Sequence, residues 1–328
     1  MTSPSLLART VDRLLDRSVV LGYTRLGPAL RRRWWPADPS PGALAGKVVA
    51  VTGANSGLGK ATTEGAARLG AEVLMLCRNV ERGEKARAEV LGAVPGAVLH
   101  VVECDVSNLG SLPAVAAEVA SLAPALHALV HNAGVLPPER TETDEGHELT
   151  LATHVLGPHV LTNALRGPLR ADGDARVVFV TSGGMYTSGL AVDDLQYRRG
   201  EYSGTQAYAR TKRMQVHLAE EWATRLHPEG VAVHSTHPGW AGTPGLTDSL
   251  PGFSRLTGPL LRDADEGADT AVWLLASPEA HDRTGLLWHD RAPRPTSYLG
   301  RHAPSRDAAG VLWDRCVELT GVPRNDAT

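Results

Sequence analysis

The chain has 328 residues, of which 42% are hydrophobic and 21% charged, and its 33 Lys and Arg against 36 Asp and Glu give a net charge of -3. These values are ordinary for a globular protein and argue against a disordered or fibrous chain. The balanced charge offers no field for a polyphosphate backbone, so we expect no nucleic-acid partner. The three cysteines, Cys77, Cys104 and Cys316, are far apart, which predicts neither a disulfide framework nor a metal site.

The first 45 residues form a basic extension that ends in a Pro-rich linker. No run of about 18 apolar residues and no signal-peptide pattern is visible, so we expect a cytoplasmic protein. Apolar residues recur near helical spacing in the extension at Leu6, Leu7, Val11, Leu14, Leu15 and Val19. This amphipathic helix either packs on the main domain or, through its Arg and Trp residues, places residues 1–35 against a membrane surface as a peripheral contact.

Short apolar runs then alternate with longer amphipathic stretches, which is typical of strands joined by crossover helices. The predicted strands are Lys47–Thr52, Glu72–Cys77, Val98–Cys104, Ala128–His131, Arg176–Thr181, Val231–Thr236 and, more weakly, Gly285–His289. Because the middle runs are apolar almost throughout, helices should cover both faces of the sheet. The sequence predicts an α/β Rossmann-type fold, a doubly wound parallel sheet of about seven strands, over residues 46–300. Residues 301–328 are predicted to form a closing helix and tail.

A glycine-rich turn follows the first predicted strand. Glycines let backbone N–H groups approach a pyrophosphate at a helix N-terminus. The candidate cofactor-binding residues of this turn are Gly53, Asn55, Ser56, Gly57, Leu58 and Gly59. The second strand ends at Arg78, where an acidic residue would favour NAD(H), whereas an arginine favours the 2′-phosphate of NADP(H). The sequence therefore predicts NADP(H) in preference to NAD(H).

Tyr208 and Lys212 are four residues apart, which places both side chains on one face of a helix. The ammonium is expected to lower the pKa of the phenol, so that Tyr208 can exchange a proton with a carbonyl or alcohol oxygen. Ser182 ends the fifth strand, and its hydroxyl can donate to the oxyanion of the substrate. These three side chains are the candidate catalytic set.

The Gly-x-x-x-Gly-x-Gly turn, Asn132-Ala133-Gly134, Ser182, Tyr-x-x-x-Lys and Pro238-Gly239 occur in the order found in the short-chain dehydrogenase/reductase family, which the chain resembles. The resemblance implies that Asp105 and Val106 contact the adenine and that Asn132, Ala133 and Gly134 lie along the cofactor. It also implies that Pro238 and Gly239 lie beside the nicotinamide and that Thr243 contacts its carboxamide. Within the family, the chain is most similar to the member 12 subgroup of the dehydrogenase/reductases and more distantly to retinol dehydrogenases.

One position departs from the family pattern. The fourth catalytic residue of the family is an Asn that holds a relay water, and His154 stands in its place. A histidine can hold a water through its ring nitrogens, but its size or charge can also displace it. Three interpretations of His154 stay open. It takes the catalytic role of the Asn, it marks a protein that binds the cofactor but is catalytically weak, or it only fills space beside its helix.

The substrate side of the predicted site is apolar. Residues 240–262 are predicted to form a mobile lid with Trp240, Leu246, Leu250, Phe253, Leu256 and Leu260. Met185, Tyr186, Leu190 and Tyr197 also lie between Ser182 and Tyr208, although residues of this kind can equally be core or oligomer contacts. The sequence predicts an oxidoreductase acting on a small apolar carbonyl or alcohol. The alternative is a catalytically weak NADP(H)-binding protein that acts as a redox-responsive interaction protein, and a homo-oligomer stays open.

Overall fold

A central β-sheet organises the chain. The structure is a computed structural model that describes residues 6–242, 258–298 and 307–324. Its strands in these ranges are β1 (Val48–Thr52), β2 (Glu72–Cys77), β3 (Leu99–Glu103), β4 (Ala128–His131), β5 (Ala175–Val180), β6 (Val231–Thr236), β7 (Leu286–His289) and β8 (Ala292–Arg294). The strand order is β3-β2-β1-β4-β5-β6-β7-β8. The predicted α/β doubly wound fold is confirmed.

All neighbouring strands from β3 to β7 pair in parallel, whereas β8 pairs antiparallel with β7. The sequence analysis missed β8. This strand has three residues, one of which is Pro293, and it lies at the edge of the sheet, where a residue without an N–H is tolerated. Such a strand has no apolar run by which it could be recognised.

Helices flank the sheet in the described residues. The α-helices are α1 (Leu6–Arg17), α2 (Val19–Tyr23), α3 (Leu26–Arg31), α4 (Gly57–Arg68), α5 (Val80–Ala93), α6 (Leu112–Leu122), α7 (Leu149–Leu151), α8 (Gly157–Ala164), α9 (Arg166–Asp172), α10 (Gly204–Leu226), α11 (Ala264–Ala276), α12 (Pro278–His281) and α13 (Ala308–Thr320). A π-helical turn, Ala152–Leu156, joins α7 to α8. The predicted closing helix is present as α13.

The core lies on both faces of the sheet, as the continuous apolar strands predict. All six residues of β5 are buried, and so are all four of β4. One cluster of buried side chains includes Leu129 and Val177, and the other includes Val130 and Val178, so adjacent residues of one strand enter opposite layers. Because the centre of the sheet is closed on both faces, the loops at its strand ends are left to form a site.

The basic extension packs on the domain with an orientation that the sequence does not reveal. Leu15, Asp16 and Tyr23 are buried, whereas Leu6, Leu7 and Leu14 of α1 are 79%, 74% and 65% exposed. The carboxylate of Asp12 pairs with Arg294 at 2.7 Å, and the hydroxyl of Tyr298 donates to Asp16 at 2.6 Å. The extension is therefore held by paired polar groups together with buried Leu15 and Tyr23, while Leu6, Leu7 and Leu14 face outward.

Candidate active site

The site residues predicted from sequence lie where the parallel strands end. Gly53 follows β1, Arg78 follows β2, Asp105 follows β3, Asn132 follows β4 and Ser182 follows β5. The sheet order reverses between β1 and β4, and the crevice outside the carboxyl ends at such a switch point is where doubly wound folds bind ligands. The fold thus gathers motifs that are more than 100 residues apart in sequence.

The glycine-rich turn is built for close approach. Gly53 and Gly57 have φ of +65° and +51°, a backbone conformation that favours glycine. A Cβ on Gly59 would lie 2.3 Å from the Gly53 carbonyl oxygen and 2.4 Å from the Asn132 amide nitrogen, so there is no room for a side chain. The N-cap of α4, Ser56, makes no side-chain capping bond, which leaves first-turn N–H groups for an anion. This turn fits a dinucleotide pyrophosphate.

Asn132 ties the turn to the centre of the sheet. Its amide nitrogen donates to the Thr52 carbonyl at 2.9 Å, and the backbone N–H groups of Asn132 and Ala133 donate to the Thr52 hydroxyl at 2.9 and 3.0 Å. The Thr52 hydroxyl also donates to the Val130 carbonyl at 3.2 Å, so four hydrogen bonds from or to Thr52 hold the ends of β1 and β4 together. Both Ala133 and Gly134 continue from this junction toward the catalytic helix.

Arg78 and Asp105, the residues predicted to contact the adenosine, follow neighbouring strands β2 and β3. Arg78 is exposed, and no hydrogen bond or ion pair joins its side chain to another residue in the part of the chain that the structure describes. Asp105 accepts from the N–H and hydroxyl of Ser107 at 2.9 and 2.7 Å through Oδ1, so it caps its own turn rather than a helix. Its neighbour Val106 is buried.

Helix α10 carries Tyr208 and Lys212 on one face, as their spacing predicts. The ammonium of Lys212 donates to the Val180 carbonyl at 2.8 Å and to Oε1 of Gln215 at 3.0 Å, and burial lowers its pKa to about 7. Burial raises the pKa of Tyr208, and a hydrogen bond from Ser182 opposes that rise. The expected lowering of the Tyr208 pKa by Lys212 is wrong for this structure because the ammonium points to Val180 and Gln215.

The sequence analysis did not find Gln215. It lies three residues after Lys212, is fully buried, and its Nε2 has no hydrogen-bond partner among the described residues. A glutamine one turn beyond a lysine is common on helices, so the pattern alone gave no signal. In the structure its carbonyl oxygen orients the Lys212 ammonium.

His154 lies in the π-helical turn with both ring nitrogens engaged. Nε2 accepts from the Val135 N–H at 3.0 Å, and Nδ1 lies 2.8 Å from the Thr211 hydroxyl. Since that hydroxyl donates to the Ala207 carbonyl at 3.0 Å, it must accept from His154, which assigns a neutral Nδ1–H tautomer. Burial, with the nearby Lys212 charge, holds the pKa of His154 well below its usual value.

The consequence concerns the proton relay. With both nitrogens bonded to protein, His154 can hold a water only by giving up one of these partners. A Cβ on Gly134 would lie 3.1 Å from Nε2 of His154 and 3.7 Å from the Lys212 ammonium, so both side chains lie close to the Gly134 backbone. The geometry gives His154 a positioning role for the loop after β4 and for the catalytic helix.

Pro238 and Gly239, the residues predicted to lie beside the nicotinamide, follow β6. Gly239 has φ +76°, and Pro238, Leu58 and Ala241 converge on Gly267 of α11. This contact brings the glycine-rich turn against the loop after β6. Thr243 lies outside the described residues, as do the predicted lid residues Leu246, Leu250, Phe253 and Leu256.

Two of the residues predicted to line the substrate side belong to the packing of the domain. Met185 is fully buried against Val216 and Leu287. Tyr197 is 6% exposed, with its hydroxyl donating to Gln206 at 2.6 Å. Both residues therefore make ordinary core contacts, which was the alternative to a substrate-binding role.

Comparisons with known proteins agree with this geometry. The family profile described as short chain dehydrogenase matches residues 47–251. The chain belongs to the short-chain dehydrogenase/reductase family. It is similar to dehydrogenase/reductase SDR family member 12 of Bos taurus, with 39% identity over 84% of this chain and 86% of the relative. It is also similar to human retinol dehydrogenase 14, with 31% identity over 90% of this chain and 92% of the relative.

Solved structures share the architecture. A provisionally named NAD(P)-dependent gluconate 5-dehydrogenase from Beutenbergia cavernae, solved with NADP, has 25% identity and a TM-score of 0.61 over 76% of this chain and 97% of its own. A 3-ketoacyl-(acyl-carrier-protein) reductase from Brucella melitensis, complexed with NADH, has 24% identity and a TM-score of 0.60 over 74% and 96%. Short-chain dehydrogenases are nicotinamide-dependent oxidoreductases, and this chain is a member of that class.

Proposed function

We propose that this protein is an NADP(H)-dependent oxidoreductase that interconverts an apolar carbonyl compound and its alcohol. The observation that carries the proposal is the placement of Tyr208 and Lys212 on one face of α10, with the Lys212 ammonium bonded to the Val180 carbonyl at the end of β5, two residues before Ser182. A protonated phenol and a hydroxyl side by side can both address one substrate oxygen. They lie at the carboxyl edge of the sheet, beside a turn that fits a dinucleotide.

Each side chain has a separate task in this proposal. The bound nicotinamide supplies or accepts the hydride. Tyr208 donates a proton to the carbonyl oxygen during reduction and removes it during oxidation, and Ser182 donates a hydrogen bond to the same oxygen. Lys212 binds the nicotinamide ribose through its ammonium. His154 positions helix α10 through Thr211, and Gln215 orients the Lys212 ammonium.

The preference for NADP(H) is supported by Arg78. Its exposed guanidinium is free to pair with a 2′-phosphate, and no acidic residue stands at the end of β2 to accept ribose hydroxyls. A charge-assisted hydrogen bond contributes about 1.5–3 kcal/mol, or roughly 10- to 150-fold in affinity. We expect Arg78→Glu to weaken NADPH binding by that factor and to leave NADH binding unchanged or improved. Equal loss for both cofactors would refute the assignment.

An apolar substrate is supported by the leucine-rich segment 246–260 and by the similarity to a protein named for retinol.

A lipid-binding surface is supported by the basic extension, which carries six of the eleven large exposed apolar side chains of the described residues. They are Leu6, Leu7, Leu14, Leu21, Leu26 and Leu30. Six arginines of residues 6–35 are exposed, while the two carboxylates, Asp12 and Asp16, point inward.

We therefore propose that this surface rests on an anionic bilayer as a peripheral contact. In the described part of the chain, no helix combines the length and apolarity needed to span a membrane. The protein should sediment with anionic vesicles and less with neutral ones, and the triple change Leu6→Ser, Leu7→Ser and Leu14→Ser should release it. Equal sedimentation of both proteins with anionic vesicles would contradict this surface.

Turnover is tested by NADPH consumption across apolar ketones, aldehydes and quinones. The parent protein should oxidise NADPH with at least one carbonyl class, and Tyr208→Phe should abolish that turnover while keeping NADPH affinity. The alternative, a cofactor-binding protein that itself serves as a redox-responsive partner, predicts tight NADPH binding without turnover in the parent and in His154→Asn. Tight NADPH binding without turnover in both proteins would contradict the proposal that the protein is an enzyme.

A further inference from the structure

The basic extension reaches the catalytic face of the domain. Residues 22–24, here named the strap, are buried, with Tyr23 3% and Thr24 0% exposed. The Tyr23 carbonyl accepts from the Trp240 N–H at 2.7 Å and from Nε of Arg262 at 3.0 Å. The strap is thus bonded to the chain that leaves the Pro238-Gly239 loop.

The ring of Tyr23 fills the space between two loops of the site. A Cβ on Gly183, the residue after Ser182, would lie 2.7 Å from Cε2 of Tyr23, which places the ring directly on the Gly183 backbone. The ring also meets His237 edge to face, with centroids 4.8 Å apart. The same ring therefore contacts the loop that carries Ser182 and the loop that carries Pro238.

A buried ionic cluster fixes the strap. Arg31 of α3 donates to Asp290 at 2.5 Å, and Arg262 donates to the same carboxylate at 2.6 Å, with all three side chains at most 1% exposed. Nη2 of Arg262 also donates to the Gly22 carbonyl at 2.8 Å. The carboxylate lies in the turn between β7 and β8, so the extension is anchored to the sheet on both sides of Tyr23.

We propose that the strap is a positioning element of the active site, in which Tyr23 sets the Ser182 hydroxyl and the nicotinamide-side loop relative to each other. This inference rests on the proposed function. Tyr23 acts through Gly183 and His237, and it needs no contact with substrate. Displacement of a catalytic group by about 1 Å can cost on the order of 100-fold in rate. The extension then has two faces: leucines outward and a catalytic support inward.

The first test compares Tyr23→Leu with Tyr23→Phe. Loss of the ring should lower kcat for NADPH-dependent reduction by about 10- to 100-fold with little change in the KM for NADPH, and the Phe variant should restore kcat because it keeps the ring. Val90→Ala, a core truncation in α5 at the far side of the sheet, controls for destabilisation alone. It should lower the melting temperature and leave kcat unchanged.

A double-mutant cycle isolates the contact. Gly183→Ala drives a methyl group into the Tyr23 ring and should lower kcat, and Tyr23→Leu should reduce that loss because it removes the opposing ring edge. The double variant should therefore be more active than the product of the two single effects predicts. Purely multiplicative effects, or a Tyr23→Leu variant with parental kcat, would overturn the proposal.

A second readout separates this proposal from the proposed function. If the parent turns over no carbonyl, the fluorescence of bound NADPH still reports the environment of its nicotinamide ring. Tyr23→Leu should change that fluorescence while the affinity for 2′,5′-ADP, which lacks nicotinamide, stays within about twofold of the parental value. Unchanged fluorescence in that variant would refute the strap, whatever the outcome for turnover.

Discussion

His154→Asn is the substitution that best separates packing from proton relay. The histidine ring holds the Val135 N–H and the Thr211 hydroxyl at 3.0 and 2.8 Å, and it meets the Tyr208 ring edge to face with centroids 5.4 Å apart. The shorter Asn side chain reaches at most one of the two partners. One buried polar group is then unpaired, at about 1–3 kcal/mol, and the lost ring contact adds about 1 kcal/mol.

We therefore expect the unfolding free energy to fall by about 2–4 kcal/mol. At roughly 2 °C per kcal/mol for a chain of this size, the melting temperature should fall by about 4–8 °C. Turnover of NADPH should fall at least about tenfold, because Tyr208 and the loop of Val135 lose their common support.

The assay is thermal unfolding by circular dichroism beside NADPH consumption at a saturating carbonyl. His154→Gln is the matched control, since its carbonyl oxygen can accept from Val135 in place of Nε2. It should lose about half as much stability. An Asn variant with parental stability and faster turnover would refute the argument and would show that a histidine here suppresses the family's relay.

Three further predictions address the rest of the site. Gly59→Ala has no room for its methyl group, so it should weaken NADPH binding, measured by titration, and cost about 1–3 kcal/mol of stability, measured by denaturation. Parental NADPH affinity would contradict the role of the glycine-rich turn in cofactor binding. Gln215→Leu removes a hydrogen-bond acceptor from the charged Lys212 ammonium, so the Lys212 pKa of about 7 should fall further. The alkaline limb of the pH profile of kcat/KM for NADPH should then move to lower pH, and an unmoved limb would exclude this role. Asp290→Asn removes the carboxylate that buried Arg262 and Arg31 share, and only Arg31 keeps another carboxylate partner among the described residues, Asp12. The change should cost about 3–5 kcal/mol in urea unfolding, and a loss below about 1 kcal/mol would show that the cluster is not needed.

The charge of Asp290 also sets a pH dependence. Burial alone would raise the pKa of this carboxyl, but His289, Arg262 and Arg31 lower it far below the usual range. A carboxyl with a lowered pKa contributes stability above its unfolded pKa of about 4 and loses that contribution as the pH falls toward the folded value. Acid unfolding of the parent should therefore be steeper below about pH 4 than that of Asp290→Asn.

The strand pattern was recoverable from sequence because burial on both faces leaves continuous apolar runs. The predicted bounds of β2, β4 and β6 match the structure at every residue. Local spacing also placed Tyr208 and Lys212 on one helix face. These features depend on neighbours in the chain, and such neighbours are visible in the sequence.

The features that sequence missed depend on distant partners. Asp12 of α1 pairs with Arg294, and Tyr23 meets Gly183, across 282 and 160 residues. A helical pattern of leucines gave no sign that the polar side of the extension would face the domain. In the same way, the role of His154 depends on Thr211 and Val135, which no motif connects to it.

The central claim is hydride transfer with Tyr208 as the proton donor, and deuterium transfer tests it most directly. The parent, supplied with NADPH deuterated at nicotinamide C4 and an apolar carbonyl, should place deuterium on the carbinol carbon of the product. Tyr208→Phe should bind the cofactor and form no labelled alcohol. Tight cofactor binding by the parent without label in any product, or labelled alcohol from Tyr208→Phe at the parental rate, would contradict the account.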